Sequence, residues 1–170
     1  MFRKQPKIDI KLSEKDKKLV IIGWLCVFIN FVIVLLFYFD LPETIPIHFN
    51  FKGEPDGYGN KTYIWSLPIL NLVLYFGLNL VATKLKPWQY NYPVTVTNEN
   101  APTLYSMGVQ MIIWLNLGIA ILFTFLSLHT LLLAKGIIIP NLGWVIPVLT
   151  AIITITPFLY IIKMFKIPKS

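Results

Sequence analysis

Residues Leu19 to Phe39 read LVIIGWLCVFINFVIVLLFYF: 21 residues without a charge, bounded by Lys18 and Asp40. A helix needs about 20 mostly apolar residues to cross about 30 Å of hydrocarbon. The run is too long for the apolar part of a cleaved leader, and the residues after it, Asp40-Leu41-Pro42-Glu43, offer no small-x-small cleavage site. It therefore reads as a retained anchor. A core helix of a soluble protein would carry a polar stripe, but here Asn30 stands almost alone.

Three more runs follow. Between Lys61 and Lys84 the apolar part extends from Ile64 to Thr83, between Glu99 and Lys135 from Leu104 to Leu133, and between Lys135 and Lys163 from Gly143 to Ile162. The third is long enough to tilt or to project beyond the bilayer. Of the 170 residues 56% are hydrophobic and 14% charged, against about 25% charged in ordinary soluble domains. The expected fold is an all-α integral membrane protein of four transmembrane helices. Its parts are a basic N-terminal segment (1–18), a two-helix unit (19–83) with a loop at 40–63, a second loop (84–103), a second helix pair (104–162) and a tail (163–170).

The net charge of +7 does not point to nucleic acid, because the basic residues flank apolar runs and form no surface interleaved with aromatics. Twelve of the fifteen lie in the N-terminal segment (Arg3, Lys4, Lys7, Lys11, Lys15, Lys17, Lys18), the second loop (Lys84, Lys86) and the tail (Lys163, Lys166, Lys169). Lysine and arginine gather on the cytoplasmic side, so both termini are expected there, in the cytoplasmic (inner) membrane. The basic lead is expected to lie solvated at anionic head groups, with Ser13 capping the first helix and Asp16 three residues on. The single cysteine, Cys26, forms no internal disulfide. No metal or cofactor is expected.

The loop at 40–63 faces outward in this reading and differs from everything around it. Leu41 to Lys61 reads LPETIPIHFNFKGEPDGYGNK. Three prolines fix φ, glycines permit positive φ, and Pro55-Asp56-Gly57 has turn chemistry. Ile45 to Phe51 alternates loosely and suggests one extended strand. Asp40, Glu43, His48, Asn50, Glu54, Asp56 and Lys61 gather here. Asn50, Glu54 and Asp56 have the oxygen ligands of a hard-cation site, although their spacing does not match the EF-hand loop. Solvated or turn-forming roles account for the same residues.

Pro46, His48, Asn50, Gly53, Asp56, Gly57, Tyr58 and Lys61 fall in register with a Pro-x-His-(Phe/Trp)-Asn-x-x-Gly-x-(Pro)-Asp-Gly-(Tyr/Trp)-(Gly)-x-Lys pattern. In this the stretch from Phe28 to Tyr75 resembles a bacterial membrane family, domain of unknown function 1648. The pattern lies between two transmembrane helices there, and also at the front of SdpI-type immunity proteins, which protect a producing bacterium from its own secreted toxin. The resemblance implies a binding role for these residues and Glu54. The SdpI type carries a Gly/Asn/Arg-rich signature between later helices. No arginine follows Arg3 here, so the second half looks like the short stand-alone members.

Within the spans lie Asn30, Asn71, Asn79, Gln110 and Asn116, and no ionisable residue at a span centre. Transporters and proton relays usually need one, whereas Asn and Gln glue helices together. Asn71 and Asn79, eight apart, share a helix face. Thr97 or Asn98 is expected to cap the third span. His129 lies near the outer end of that span, on the side of His48, so a shared metal or pH-sensitive contact is one reading of the two. The favoured function is a binding or protective module, immunity-like or for envelope stress, with the lipid bilayer as one partner and a peptide or envelope ligand at the outer face. Homo-oligomer formation stays open. The alternatives are an outer-face enzyme using Glu43, His48 and Asp56, or a small transporter.

Overall fold

The computed structural model describes residues 5–168; Arg3, Lys4 and Lys169 lie outside the described residues. Four helices carry the chain: α1 (Glu14–Phe37), α2 (Ser66–Lys84), α3 (Ala101–Ala134) and α4 (Val145–Phe165). All four lie in segments long and apolar enough to cross a membrane, within a few residues of the expected spans. The all-α expectation needs one correction. The loop between α1 and α2 holds an antiparallel hairpin of β1 (Thr44–Phe49) and β2 (Pro55–Asn60). The expected strand is therefore present as β1, but it has a partner.

Helix starts follow local chemistry. Ser13 and Asp16 form a reciprocal capping box at the start of α1, which satisfies backbone donors that the helix cannot. The start of α3 is capped by Thr97, one of the two expected residues. Asn100 precedes the first residue of the helix and makes no side-chain cap itself, but its N–H donates to Thr97 Oγ1 at 3.3 Å and Ala101 N–H to Thr97 O at 3.0 Å. The Asn100 side chain turns back, accepting from Thr97 N at 2.8 Å and donating to Thr95 O and Pro168 O. With 34 residues, α3 is about 51 Å long at 1.5 Å per residue and projects beyond an apolar layer of about 30 Å.

That length makes α3 the hub: it packs against α1, α2 and α4, whereas α2 and α4 are not packed against each other. Polar side chains fasten the hub. Asn71 Nδ2 donates to Ala120 O (3.2 Å), Asn116 Nδ2 to Tyr75 O (3.0 Å), Tyr75 OH to Val20 O (2.7 Å) and Thr124 Oγ1 to Cys26 O (3.0 Å). Thus Asn71 and Asn116 bind neighbouring helices. Asn30 is fully buried with neither amide atom paired, and Asn79 has an unpaired buried Oδ1. Gln110 is half-buried.

The first and last described residues lie at one end of the bundle. Tyr105 OH donates to Pro6 O, Gln5 Nε2 to Tyr90 O and Asn100 Nδ2 to Pro168 O. The lead before α1 is thus not simply solvated: Ile8 and Ile10 pack against Ala101, Leu104, Tyr105 and Met164. The hairpin occupies the opposite end.

Candidate functional site

The chain reverses at Asn50–Glu54. Asn50 Oδ1 accepts from the backbone N–H of Lys52 (2.8 Å) and of Glu54 (3.1 Å), while its Nδ2 donates to Glu54 Oε2 (2.9 Å). An asparagine that bonds backbone two residues on makes a turn by itself, and Gly53 completes it at φ +74°. The turn expected at Pro55-Asp56-Gly57 is therefore displaced. Those residues begin β2, where a first-position proline loses no needed donor. Of the three oxygen-bearing residues, Asn50 and Glu54 bond each other in closing the turn and Asp56 pairs with His48.

His48 sits across the ladder from Gly57. A Cβ at Gly57 would lie 2.9 Å from His48 Cβ, so the glycine makes room for the imidazole. His48 Nδ1 and Asp56 Oδ1 are 2.5 Å apart, with side chains 73% and 44% exposed. Glu43 is elsewhere, paired with Lys61 Nζ at 2.9 Å. It lies five positions along the chain from His48, about 16 Å when extended. The three acid–base candidates are therefore a pair and an outlier. Lys61 also reaches Leu41 O (3.4 Å) and so ties the hairpin base together. Pro46 is buried, while Tyr58 stands exposed.

The hairpin is fastened to the bundle at its turn. His129 of α3 is 4% exposed and its Nε2 is 3.0 Å from Gly53 O. A carbonyl only accepts, so the ring nitrogen donates. Phe49 and Phe125 flank the imidazole with ring centroids at 5.4 and 5.9 Å. On its other side Gly53 meets Gly143, and a Cβ at Gly143 would lie 2.7 Å from Lys52 O. His48 and His129 line different cavities, so they share no site. Among the described residues no three of His, Cys, Asp and Glu cluster as metal ligands do.

Two flanks result. Between the turn and the α3–α4 connection lies a chamber of about 610 Å³, with Lys52, Glu54, Tyr58, His129 and Trp144 in its walls. Along the other flank run two adjoining grooves of about 410 and 810 Å³, which share His48, Phe49 and Ile146. Of the signature residues, His48, Asn50 and Asp56 face the grooves, and Gly53, Glu54 and Tyr58 face the chamber. The contacts Gly53–His129 and Gly53–Gly143 were invisible in the sequence, because no spacing rule joins segments so far apart.

Residues 25–72 match the family described as Domain of unknown function (DUF1648), spanning the second half of α1, the hairpin and the start of α2. The resemblance read from the signature is therefore shown over that stretch; the relation to SdpI-type proteins is not. An uncharacterised protein of Archaeoglobus fulgidus is 32% identical over 95 residues, which is 55% of this chain and 50% of the relative. The chain thus spans about half the length of the curated relative that it matches. No solved structure matches.

Proposed function

We propose that this is a small multi-pass protein of the cytoplasmic membrane whose hairpin end faces outward and binds an envelope component there, in a protective, immunity-like or envelope-stress role. The observation that carries the reading is the way the hairpin is held. Its turn is fixed from below by His129 and Gly143 and its base by Lys61, yet Ile47, Phe51 and Tyr58 remain exposed, Phe51 at 96%. A rigid element that keeps apolar side chains in the open has the form of an interaction site. The lysine distribution supports termini in the cytoplasm. An enzyme reading is weakened by the solvent-exposed His48–Asp56 pair, which among the described residues has no third hydrogen-bonded group. A transporter reading is weakened by spans whose centres carry amides and hydroxyls but no charge.

Two measurements test this. In a Cys26→Ser background, Phe51→Cys should react with a membrane-impermeant maleimide on intact cells; protection there would reverse the orientation. A deletion strain, and strains carrying His48→Ala, Asn50→Ala or Asp56→Ala in protein that still inserts, should lose survival against secreted antimicrobial peptides or envelope stress. Unchanged survival of the deletion strain removes the protective role.

A further inference from the structure

The two adjoining grooves arise from the packing of the helices. α3 packs closely against both α2 and α4, and the smaller groove opens where the first residues of α2 and α4 approach the hairpin. Its floor is Leu126 and Thr130 of α3, and its walls include Leu67 of α2 and Ile146 of α4. The larger groove continues along α4 past Pro147, Thr150 and Ala151 to Thr154 and Ile155. The Thr150 and Thr154 hydroxyls are spent on carbonyls of their own helix (Ile146 O at 2.9 Å, Thr150 O at 2.8 Å), so that wall offers little free polarity. From Ile146 to Ile155 is nine residues, about 14 Å of helix. That is close to half of a hydrocarbon layer of about 30 Å, the depth of one leaflet.

The roof is polar. His48, Asn50 and Asp56 of the hairpin close the upper end. Asp56 engages His48 through one carboxylate oxygen, and neither its other oxygen nor the second ring nitrogen of His48 has a partner among the described residues. No lysine or arginine lines either groove, and Lys52 belongs to the chamber on the opposite flank. A roof with a carboxylate and no fixed cation disfavours an anionic head group and suits one that donates hydrogen bonds to oxygen. Charge-assisted bonds of this kind are about twice as strong as neutral ones.

We propose that this groove binds one phospholipid of the adjacent leaflet, chosen for a primary ammonium head: the ammonium meets Asp56 beside His48, and an acyl chain lies along α4 from Ile146 to Ile155. The inference rests on the reading that the four helices cross a bilayer with the hairpin at its surface. It gives the His48–Asp56 pair a ligand class.

The test is native mass spectrometry of the purified full chain with equal dioleoyl phosphatidylethanolamine and dioleoyl phosphatidylglycerol. The wild type should retain one ethanolamine lipid with a preference of roughly tenfold to a hundredfold, the size expected for one hydrogen bond to a charged group. Asp56→Asn, which keeps a hydrogen-bonding side chain beside His48, should bring the two lipids to near parity. Ala151→Trp, placed on the exposed groove wall where no packing is lost, should release the lipid while circular dichroism stays helical. Equal retention by the wild type, or undiminished preference in Ala151→Trp, overturns the proposal. The survival assay is independent: a sensitive deletion strain without lipid preference would sink the lipid and leave the protective reading, and the reverse pattern would do the opposite.

Discussion

His129, one turn and a half before the end of α3, donates its Nε2 hydrogen to the carbonyl of Gly53 at the hairpin turn, 3.0 Å away and 76 positions earlier in the chain. Among the described residues it is the one side-chain hydrogen bond between the hairpin and the long helix. The carbonyl lies in a buried residue, so its loss cannot be made good cheaply by solvent.

Replacing that donor should loosen the hairpin. His129→Leu leaves Gly53 O unpaired, at a cost of about 1–3 kcal/mol. The thermal midpoint should fall, and trypsin should cut faster after Lys52, which follows the turn-forming Asn50. Cleavage at the wild-type rate would show that the bond does not hold the hairpin.

Gly53 and Gly136 separate two costs that a glycine hides. Both have positive φ, +74° and +73°. A Cβ at Gly136 meets nothing within 4 Å, whereas one at Gly53 runs into the Gly143 backbone. Gly136→Ala should therefore cost about 1 kcal/mol for the left-handed conformation alone. Gly53→Ala should cost distinctly more in a detergent unfolding series. Equal losses would mean that the turn moves freely away from Gly143.

The buried asparagines should not behave alike. Asn116 Nδ2 donates to Tyr75 O at 3.0 Å, and Asn116→Leu should destabilise the bundle by about 0.6–2 kcal/mol. Asn30 is fully buried without a partner for either amide atom. Asn30→Leu removes two unsatisfied groups and should be neutral or stabilising. Steric-trap or detergent unfolding compares the two; a large loss for Asn30→Leu would reveal a polar partner that it serves.

At the terminal end, burial pushes the Tyr92 hydroxyl well above its usual range, with Tyr90 and Tyr105 adding to it. Burial also raises Tyr90. A tyrosine whose folded pKa lies above its unfolded value near 10 favours the fold fully below pH 10. That contribution is lost as pH rises beyond, because the unfolded chain ionises first. Thermal midpoints should thus fall between pH 10 and 11, and Tyr92→Phe should flatten that fall while losing the 3.1 Å bond to Pro87 O. An equally steep fall in Tyr92→Phe would assign the effect to other groups.

Some of this was open to reading from the residues and some was not. The runs Leu19–Phe39, Ile64–Thr83, Leu104–Leu133 and Gly143–Ile162 specify four long apolar helices by composition alone. Ser13 and Asp16 announce the first helix start because a capping box is a local event within four residues. The turn was misplaced for an instructive reason. Pro55-Asp56-Gly57 has turn chemistry, but Asn50 reaches Lys52 and Glu54 first and closes the loop there. Two local signals competed, and the one that satisfied more backbone donors prevailed.

What the sequence alone determined is the number and extent of the apolar helices and the concentration of chemistry in Leu41 to Lys61, because hydrophobicity and turn propensity act over a few residues. What only the tertiary structure decided is which partners those residues meet. His48 pairs with Asp56 and not with Glu43 or His129; Gly53 is locked between His129 and Gly143; α2 and α4 stand apart on α3. Such pairings depend on the rotation and spacing of helices packed through many small contacts, and no single residue along the chain carries that information.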